Sequence, residues 1–126
     1  MIGEIAAVGI GAALGAWLRW AFSITMNHVV PRFPLGTLAA NLVGGYLVGI
    51  AVAYFATRLD LPPHFRLFVI TGFLGGLTTF STFSAEVTEL LLRGEYGSGL
   101  LLAGTHLAGS LLLTAAGFAT YRALAA

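Results

Sequence analysis

Four long apolar stretches limit the folds open to this chain more than any other feature of its sequence. They cover about residues 4–26, 35–57, 65–93 and 96–123, and prolines or turn residues separate them. A helix of about 20 apolar residues crosses the roughly 30 Å hydrocarbon core of a bilayer. Because every backbone amide in lipid needs a partner inside the protein, the pattern predicts an all-α membrane protein. We expect one domain, residues 1–126, with four transmembrane helices.

The composition indicates lipid rather than water as the main solvent. Hydrophobic residues make up 58% of the chain and charged residues 9%, against roughly 25% charged in an average soluble domain. The absence of cysteine excludes disulfides and thiolate chemistry, and a net charge of +1 without lysine offers no basic surface for nucleic acid. No set of nucleophile, base and orienting acid is recognisable, so an enzyme is not expected.

The arginines do not favour one orientation in the membrane. With four spans, Arg58, Arg66 and Arg122 lie on one side and Arg19, Arg32 and Arg93 on the other. Positively charged loops normally stay in the cytoplasm, and here both sides carry the same number. The balanced count gives no strong instruction about insertion, so dual topology and antiparallel dimerisation are hypotheses that it allows.

Pairs of small residues recur at the spacing of one helical turn. They are Gly11 and Gly15, Gly45 and Gly49, and Gly72 and Gly76. Such pairs let membrane helices approach closely. They fit either contacts within one chain or contacts between subunits.

The third stretch differs from the others because glycines and hydroxyls interrupt it. Two adjacent glycines precede five hydroxyl residues: Gly75, Gly76, Thr78, Thr79, Ser81, Thr82 and Ser84. Each glycine lowers helix stability by about 1 kcal/mol relative to alanine, and the hydroxyls compete for backbone hydrogen bonds. We expect a break near residues 75–79, where free carbonyls can coordinate a cation such as sodium. The alternative is a continuous helix whose hydroxyls bond back to its own carbonyls.

The fourth stretch carries a polar stripe on an apolar helix. His106, Ser110 and Thr114 stand at i, i+4 and i+8 and therefore share a face. A small ion could pass from one polar group to the next along this track, or the same groups could simply hold helices together. The histidine has no partner at metal-ligand spacing, so a zinc site is not proposed.

Three further positions are candidate site residues. Asn41 lies inside the second stretch, where an amide needs a partner. Phe80 and Phe83 share a face, and their electropositive ring edges favour an anion weakly, although such a pair is more often simple packing. Arg19 lies near the end of the first stretch, where it either extends to the interface or concentrates anions in a vestibule.

Several of these segments resemble the Fluc (CrcB) fluoride channel family. The most specific is TGFLGGLTTFSTFSAE from Thr71 to Glu86, and it is supported by GAWLRW from Gly15, GTLAANLVGG from Gly36, and Gly109, Ser110 and Leu111 with Thr114. The resemblance covers all four stretches. It implies an antiparallel homodimer with two fluoride pores, a broken third helix and a structural sodium ion at the dimer centre.

The resemblance also assigns roles to individual residues. Backbone carbonyls of Gly75 and Thr78 would bind the sodium ion, and Arg19 would lie at the vestibule. The predicted fluoride pore comprises Asn41, Phe80, Ser81, Thr82, Phe83, His106, Ser110 and Thr114. His106 stands where some relatives have a small hydroxyl, so the entrance of the track is expected to differ.

The predicted function is passive, fluoride-selective export that relieves fluoride toxicity, across the plasma membrane or bacterial inner membrane. A small multidrug-type transporter would also be a four-helix, dual-topology dimer, but it would need a membrane-embedded carboxylate. The sequence has none outside the end of the third stretch. A structural assembly subunit, in which the polar stripe only joins helices, is the other alternative.

Overall fold

The computed structural model describes residues 1–126, and all its regular elements are helices. These are α1 (Ile2–Met26), α2 (Leu35–Thr57), α3 (Pro63–Arg66), a π-helix (Leu67–Leu74), α4 (Gly75–Leu77), α5 (Ser81–Leu92) and α6 (Tyr96–Ala125). Four segments are long and apolar enough to cross a membrane: α1, α2, the run Pro63–Leu92 and α6. We call Pro63–Leu92 the third span. The prediction of an all-helical protein with four membrane-spanning segments is confirmed.

The third span changes its backbone form along its length. In its π-helix each N–H bonds to the carbonyl five residues earlier, and three residues of α-helix follow. Thr78 is extended, with φ −91° and ψ 154°, and α5 begins at Ser81. Residues 78–80 are thus outside any helix.

Gly75 and Gly76 are helical, although the sequence placed the start of the break at residue 75. Gly76 lies directly against α1, where an added Cβ would be only 3.0 Å from the Ala12 Cα. This glycine therefore serves close helix packing. The backbone leaves the helix two residues later, at Thr78.

Close contact between α1 and the third span depends on glycine. A Cβ on Gly15 would lie 2.7 Å from the Leu77 backbone nitrogen, and one on Gly11 would lie 2.8 Å from that of Phe73. Gly72 meets α1 from the other side, with Val8 O at 2.8 Å from its added Cβ. The small-residue faces of these two spans are therefore contacts within one chain.

A second extensive helix pairing joins α2 and α6. Gly49 and Gly117 face each other at this crossing, and a Cβ on Gly117 would lie 3.1 Å from the Gly49 Cα. The crossing brings the middle of α2, from Asn41 to Gly49, alongside the polar stripe of α6.

The connection between α2 and α3 is held by an ion pair outside the spans. The guanidinium of Arg58 donates to both carboxylate oxygens of Asp60, at 3.1 and 3.2 Å, and lies 5.6 Å from the centroid of the Tyr54 ring. The hydrogen bond from Arg58 keeps the pKa of the Asp60 carboxyl below its usual range. Both side chains are well exposed, so the pair contributes little stability.

Candidate functional site

A cavity of about 390 Å³ lies between α2, the third span and α6. It brings together seven of the predicted site residues: Asn41, Gly75, Thr78, Phe80, Phe83, His106 and Ser110. They come from three spans, and the extended backbone after Leu77 places Thr78 and Phe80 at this wall. The lining contains aromatic rings and neutral polar groups but no acidic or basic side chain other than the imidazole of His106.

Four predicted site residues do not line this cavity. Thr114 Oγ1 donates to the Gly45 carbonyl at 2.9 Å, so its hydroxyl joins α6 to α2. Arg19 Nε donates to the Gly76 carbonyl at 2.9 Å. Ser81 is exposed, and the Thr82 N–H donates to Thr79 Oγ1 at 3.2 Å, beside the end of α4.

Asn41 binds both polar groups of the Thr79 backbone, within the non-helical residues. The Thr79 N–H donates to Asn41 Oδ1 at 2.8 Å, and Asn41 Nδ2 donates to the Thr79 carbonyl at 3.0 Å. Nδ2 also lies 3.1 Å from His106 Nδ1. The amide therefore holds the helix interruption and has no free N–H for an ion in this arrangement.

His106 is the most deeply buried polar residue at the cavity, with 3% of its surface exposed. Its ring lies over Phe83, with centroids 4.5 Å apart and planes at 38°. Nδ1 faces Asn41, whereas Nε2 is buried without a hydrogen-bond partner. A buried polar atom without a partner is rare in proteins, so this nitrogen needs an explanation.

The two phenylalanines meet edge to face. The Phe80 and Phe83 ring centroids are 5.5 Å apart at an interplanar angle of 68°. Phe80 is 78% exposed although it lines the cavity, so one wall of the cavity is open in a single chain.

The backbone carbonyls of Gly75 and Thr78 have lost their helical donors. The N–H of Thr79, which would bond to Gly75 O in a continuous helix, donates to Asn41 instead. The N–H of Thr82, which would bond to Thr78 O, donates to the Thr79 hydroxyl. Neither carbonyl accepts any other hydrogen bond. Two carbonyl oxygens three residues apart are therefore free to bind a hard cation.

Glu86 and Thr37 form a polar contact that the sequence analysis did not include. Thr37 Oγ1 donates to Glu86 Oε2 at 2.7 Å, and Thr37 is 1% exposed. Glu86 Oε1 is buried without a partner. A signal was present in the spacing, because Thr37 is one helical turn before Asn41 and Glu86 is one turn after Phe83.

Comparison with known proteins gives one consistent result. The sequence model of the family described as CrcB-like protein, Camphor Resistance (CrcB), matches residues 6–118. A protein named fluoride-specific ion channel FluC from Cupriavidus metallidurans is 63% identical over 119 residues, 94% of each chain. Relatives of the same name from Ralstonia pickettii (64% identical, 92% of each chain) and Burkholderia pseudomallei (58% identical, 98% of this chain and 96% of the relative) agree.

Proposed function

This chain belongs to the CrcB-like family, and on that premise we propose that it forms a fluoride-selective ion channel. The observation that carries the proposal is that relatives about 60% identical along nearly the whole chain are fluoride-specific ion channels. The cavity agrees in its chemistry, because it offers neutral donors and ring edges instead of catalytic groups. The protein is not an enzyme, and the multidrug-transporter alternative is not supported.

Neutral groups suit the problem that fluoride poses to a channel. A small, strongly hydrated anion must lose water, yet a fixed buried cation would hold it too tightly to allow flow. Ser110, His106 and the ring edges of Phe80 and Phe83 replace water at several weak sites. Arg19 does not line the cavity, and its Nε donates to the Gly76 carbonyl, so its charge is not a fixed cation within the cavity.

Transport in this proposal is passive export. An inside-negative potential drives an anion outward by about 2.3 kcal/mol per charge for each 100 mV. Fluoride accumulates in cells because HF, a weak acid, crosses membranes and dissociates inside. The expected location is the plasma membrane, or the inner membrane of a bacterium, and the four spans agree with a multi-pass protein.

A second copy in the opposite orientation would complete the site. The exposed Phe80 and the open cavity support this arrangement, because the ring needs cover that lipid or another subunit must supply. The equal distribution of arginines supports the antiparallel orientation. Two copies related by a twofold axis would carry two pores, one beside each Phe80. In each copy the third span would be a helix broken at residues 78–80.

A structural sodium ion fits the carbonyls freed at the interruption. Gly75 O and Thr78 O are without hydrogen-bond donors, and oxygen is the ligand that hard cations prefer. In the dimer the same two carbonyls of each copy would bind it. The positive charge of the ion would offset the repulsion between the carbonyl oxygens of the two chains.

Removing sodium tests the dimer and the cation together. We expect the purified protein to have the mass of a dimer in sodium buffer and to dissociate, or to lose fluoride flux, when a bulky organic cation replaces sodium. Multi-angle light scattering and liposome efflux measure the two results. A monomer in sodium buffer would contradict the dimer, and unchanged mass and flux without sodium would contradict the ion. C-terminal reporters active on only one side of the membrane would contradict dual topology.

Fluoride efflux from proteoliposomes is the direct test of the function. We expect fast fluoride efflux, little chloride efflux, and a loss of about tenfold or more for Phe80→Ile, because one lost contact of about 1.4 kcal/mol changes a rate or affinity tenfold. Phe65→Ile is the matched control, since Phe65 is exposed and lies outside the cavity. Absence of efflux from folded dimer would reject the channel. Unchanged efflux in Ser110→Ala with weaker dimers would assign the stripe to helix association.

A further inference from the structure

We infer that Asn41 holds His106 in a single neutral tautomer and that the N–H left at Nε2 is a donor site for fluoride. The inference rests on the proposed channel function and assigns this site a specific chemical form. It concerns two residues from different spans, α2 and α6, joined at 3.1 Å beside the cavity.

The orientation of the Asn41 amide is set by the Thr79 backbone. The Thr79 N–H can only donate, so the atom 2.8 Å from it must be the amide oxygen. The Thr79 carbonyl can only accept, so the atom 3.0 Å from it must be the amide nitrogen. Rotating the amide by 180° would place two donors together and two acceptors together. The two contacts therefore fix which end of Asn41 faces His106.

This orientation determines where His106 carries its proton. Asn41 Nδ2 has two hydrogens, one directed to the Thr79 carbonyl and one available to His106 Nδ1 at 3.1 Å. Nδ1 must accept that hydrogen, so it is unprotonated. Neutral imidazole then has its proton at Nε2. The opposite tautomer, or the doubly protonated ring, would set two donors against each other.

The resulting N–H has no partner within the protein. Nε2 is the only buried side-chain nitrogen without one, in a residue that is 3% exposed. An unmet buried donor costs about 1–3 kcal/mol, which an acceptor at this point would recover. A donor attracts anions and water oxygen but not cations. Hydrogen bonds in a chain polarise one another, so the Asn41 contact also strengthens the Nε2–H as a donor.

Access to this nitrogen requires one side chain to move. The Phe83 ring lies against the imidazole, with centroids 4.5 Å apart and planes tilted by 38°, and it also meets Phe80 at the open side of the cavity. A shift of the Phe83 ring would expose Nε2–H to an ion that has entered beside Phe80. The aromatic pair would then act as the cover of the donor site as well as part of its wall.

Glu86 would compete with fluoride if its carboxylate accepted the hydrogen bond of His106 Nε2–H. It lies one turn beyond Phe83, and its Oε1 is also buried without a hydrogen bond, yet no ion pair joins it to His106. If the two side chains bonded to each other, Nε2–H would not be available to fluoride. Glu86→Gln separates these arrangements, because a bond to the carboxylate would alter the Nε2 signal when the charge is removed.

Nitrogen NMR of His106 tests the tautomer and the donor site. The sample is full-length dimer with ¹⁵N-histidine, carrying His28→Gln and His64→Gln so that one histidine remains. We expect Nε2 protonated and Nδ1 unprotonated, a mixture of tautomers in Asn41→Ala, and a shift of the Nε2–H signal with sodium fluoride but not with sodium chloride. A proton at Nδ1, an Nε2 signal indifferent to fluoride, or one that responds only to Glu86→Gln overturns the inference.

Fluoride efflux provides an independent measurement. His106→Leu removes both ring nitrogens and is expected to reduce efflux about tenfold, the effect of losing one hydrogen bond of about 1.4 kcal/mol. His106→Gln retains a distal N–H and is expected to lose less. Thr105→Val is the matched control, because the exposed Thr105 hydroxyl bonds only to the Leu101 carbonyl of its own helix.

The efflux results distinguish failure of the inference from failure of the channel proposal. Normal wild-type efflux with an equally active His106→Leu dimer rejects the donor site and leaves the channel intact. No efflux from folded wild-type dimer rejects the channel, whatever tautomer the NMR spectrum gives.

Discussion

Asn41→Ala is expected to abolish fluoride efflux and to lower the free energy of unfolding by about 2–5 kcal/mol, since a buried polar group left without its partner costs about 1–3 kcal/mol. The substitution removes both hydrogen bonds to the Thr79 backbone and the contact with His106. The Thr79 N–H would then be free to return to the Gly75 carbonyl, which would close the interruption. Denaturant unfolding in detergent and liposome efflux measure the two effects.

Asn41→Asp is the informative comparison. Aspartate keeps an acceptor for the Thr79 N–H but has no N–H for the Thr79 carbonyl or for His106. We expect unfolding stability between those of the wild type and Asn41→Ala, with efflux still lost because a carboxylate in the cavity repels fluoride. If Asn41→Ala keeps wild-type stability and efflux, the hydrogen bonds from Asn41 to the Thr79 backbone have no role in either property.

Gly117→Ala is expected to destabilise the fold most among single-methyl substitutions in α6. The added Cβ would lie 3.0 Å from the Ile50 backbone nitrogen and 3.1 Å from the Gly49 Cα, and it would also meet the Tyr46 carbonyl. Backbone atoms cannot move aside as a side chain can, so α2 and α6 must separate. Overpacking of this kind costs typically about 1–3 kcal/mol, and here we expect the upper end of that range or more.

The same helix contains a matched control for this substitution. Gly104 has no atom within 4 Å of an added Cβ, so Gly104→Ala changes only the helix propensity. It is expected to leave stability unchanged or to raise it by up to about 1 kcal/mol. Equal unfolding midpoints for the two variants, measured in the same detergent, would show that the α2 and α6 crossing tolerates separation.

The sequence predicted the spans well because lipid imposes a simple rule. Length and lack of charge identify a membrane helix without any knowledge of its neighbours. The same rule says nothing about the form of the backbone within a span. The π-helix at Leu67–Leu74 consequently had no signature in the apolar run that contains it.

The sequence predicted candidate residues, of which seven line one cavity, but it did not predict the hydrogen bonds that they make. Spacing put His106, Ser110 and Thr114 on one face, yet only the structure shows that the Thr114 hydroxyl donates to the Gly45 carbonyl. Spacing likewise did not identify the partners of the Asn41 amide, which lie 38 and 65 positions away in the chain. Helical periodicity places a side chain on a face and leaves its partner across the bundle undetermined.

The π-helix gives the third span an adjustable length. A segment with five-residue hydrogen bonds holds more residues in each turn than an α-helix, so it can lose a residue and revert to α geometry. Such a deletion would keep the segments on either side in register, whereas the same deletion from an α-helix would rotate one segment by about 100° relative to the other, given 3.6 residues per turn. Pro63–Arg66 would therefore keep its orientation relative to Gly75 and Thr78. Changes in chain length during evolution can therefore be absorbed before residues 75–80, so that the loop at one membrane surface diverges independently of the cavity.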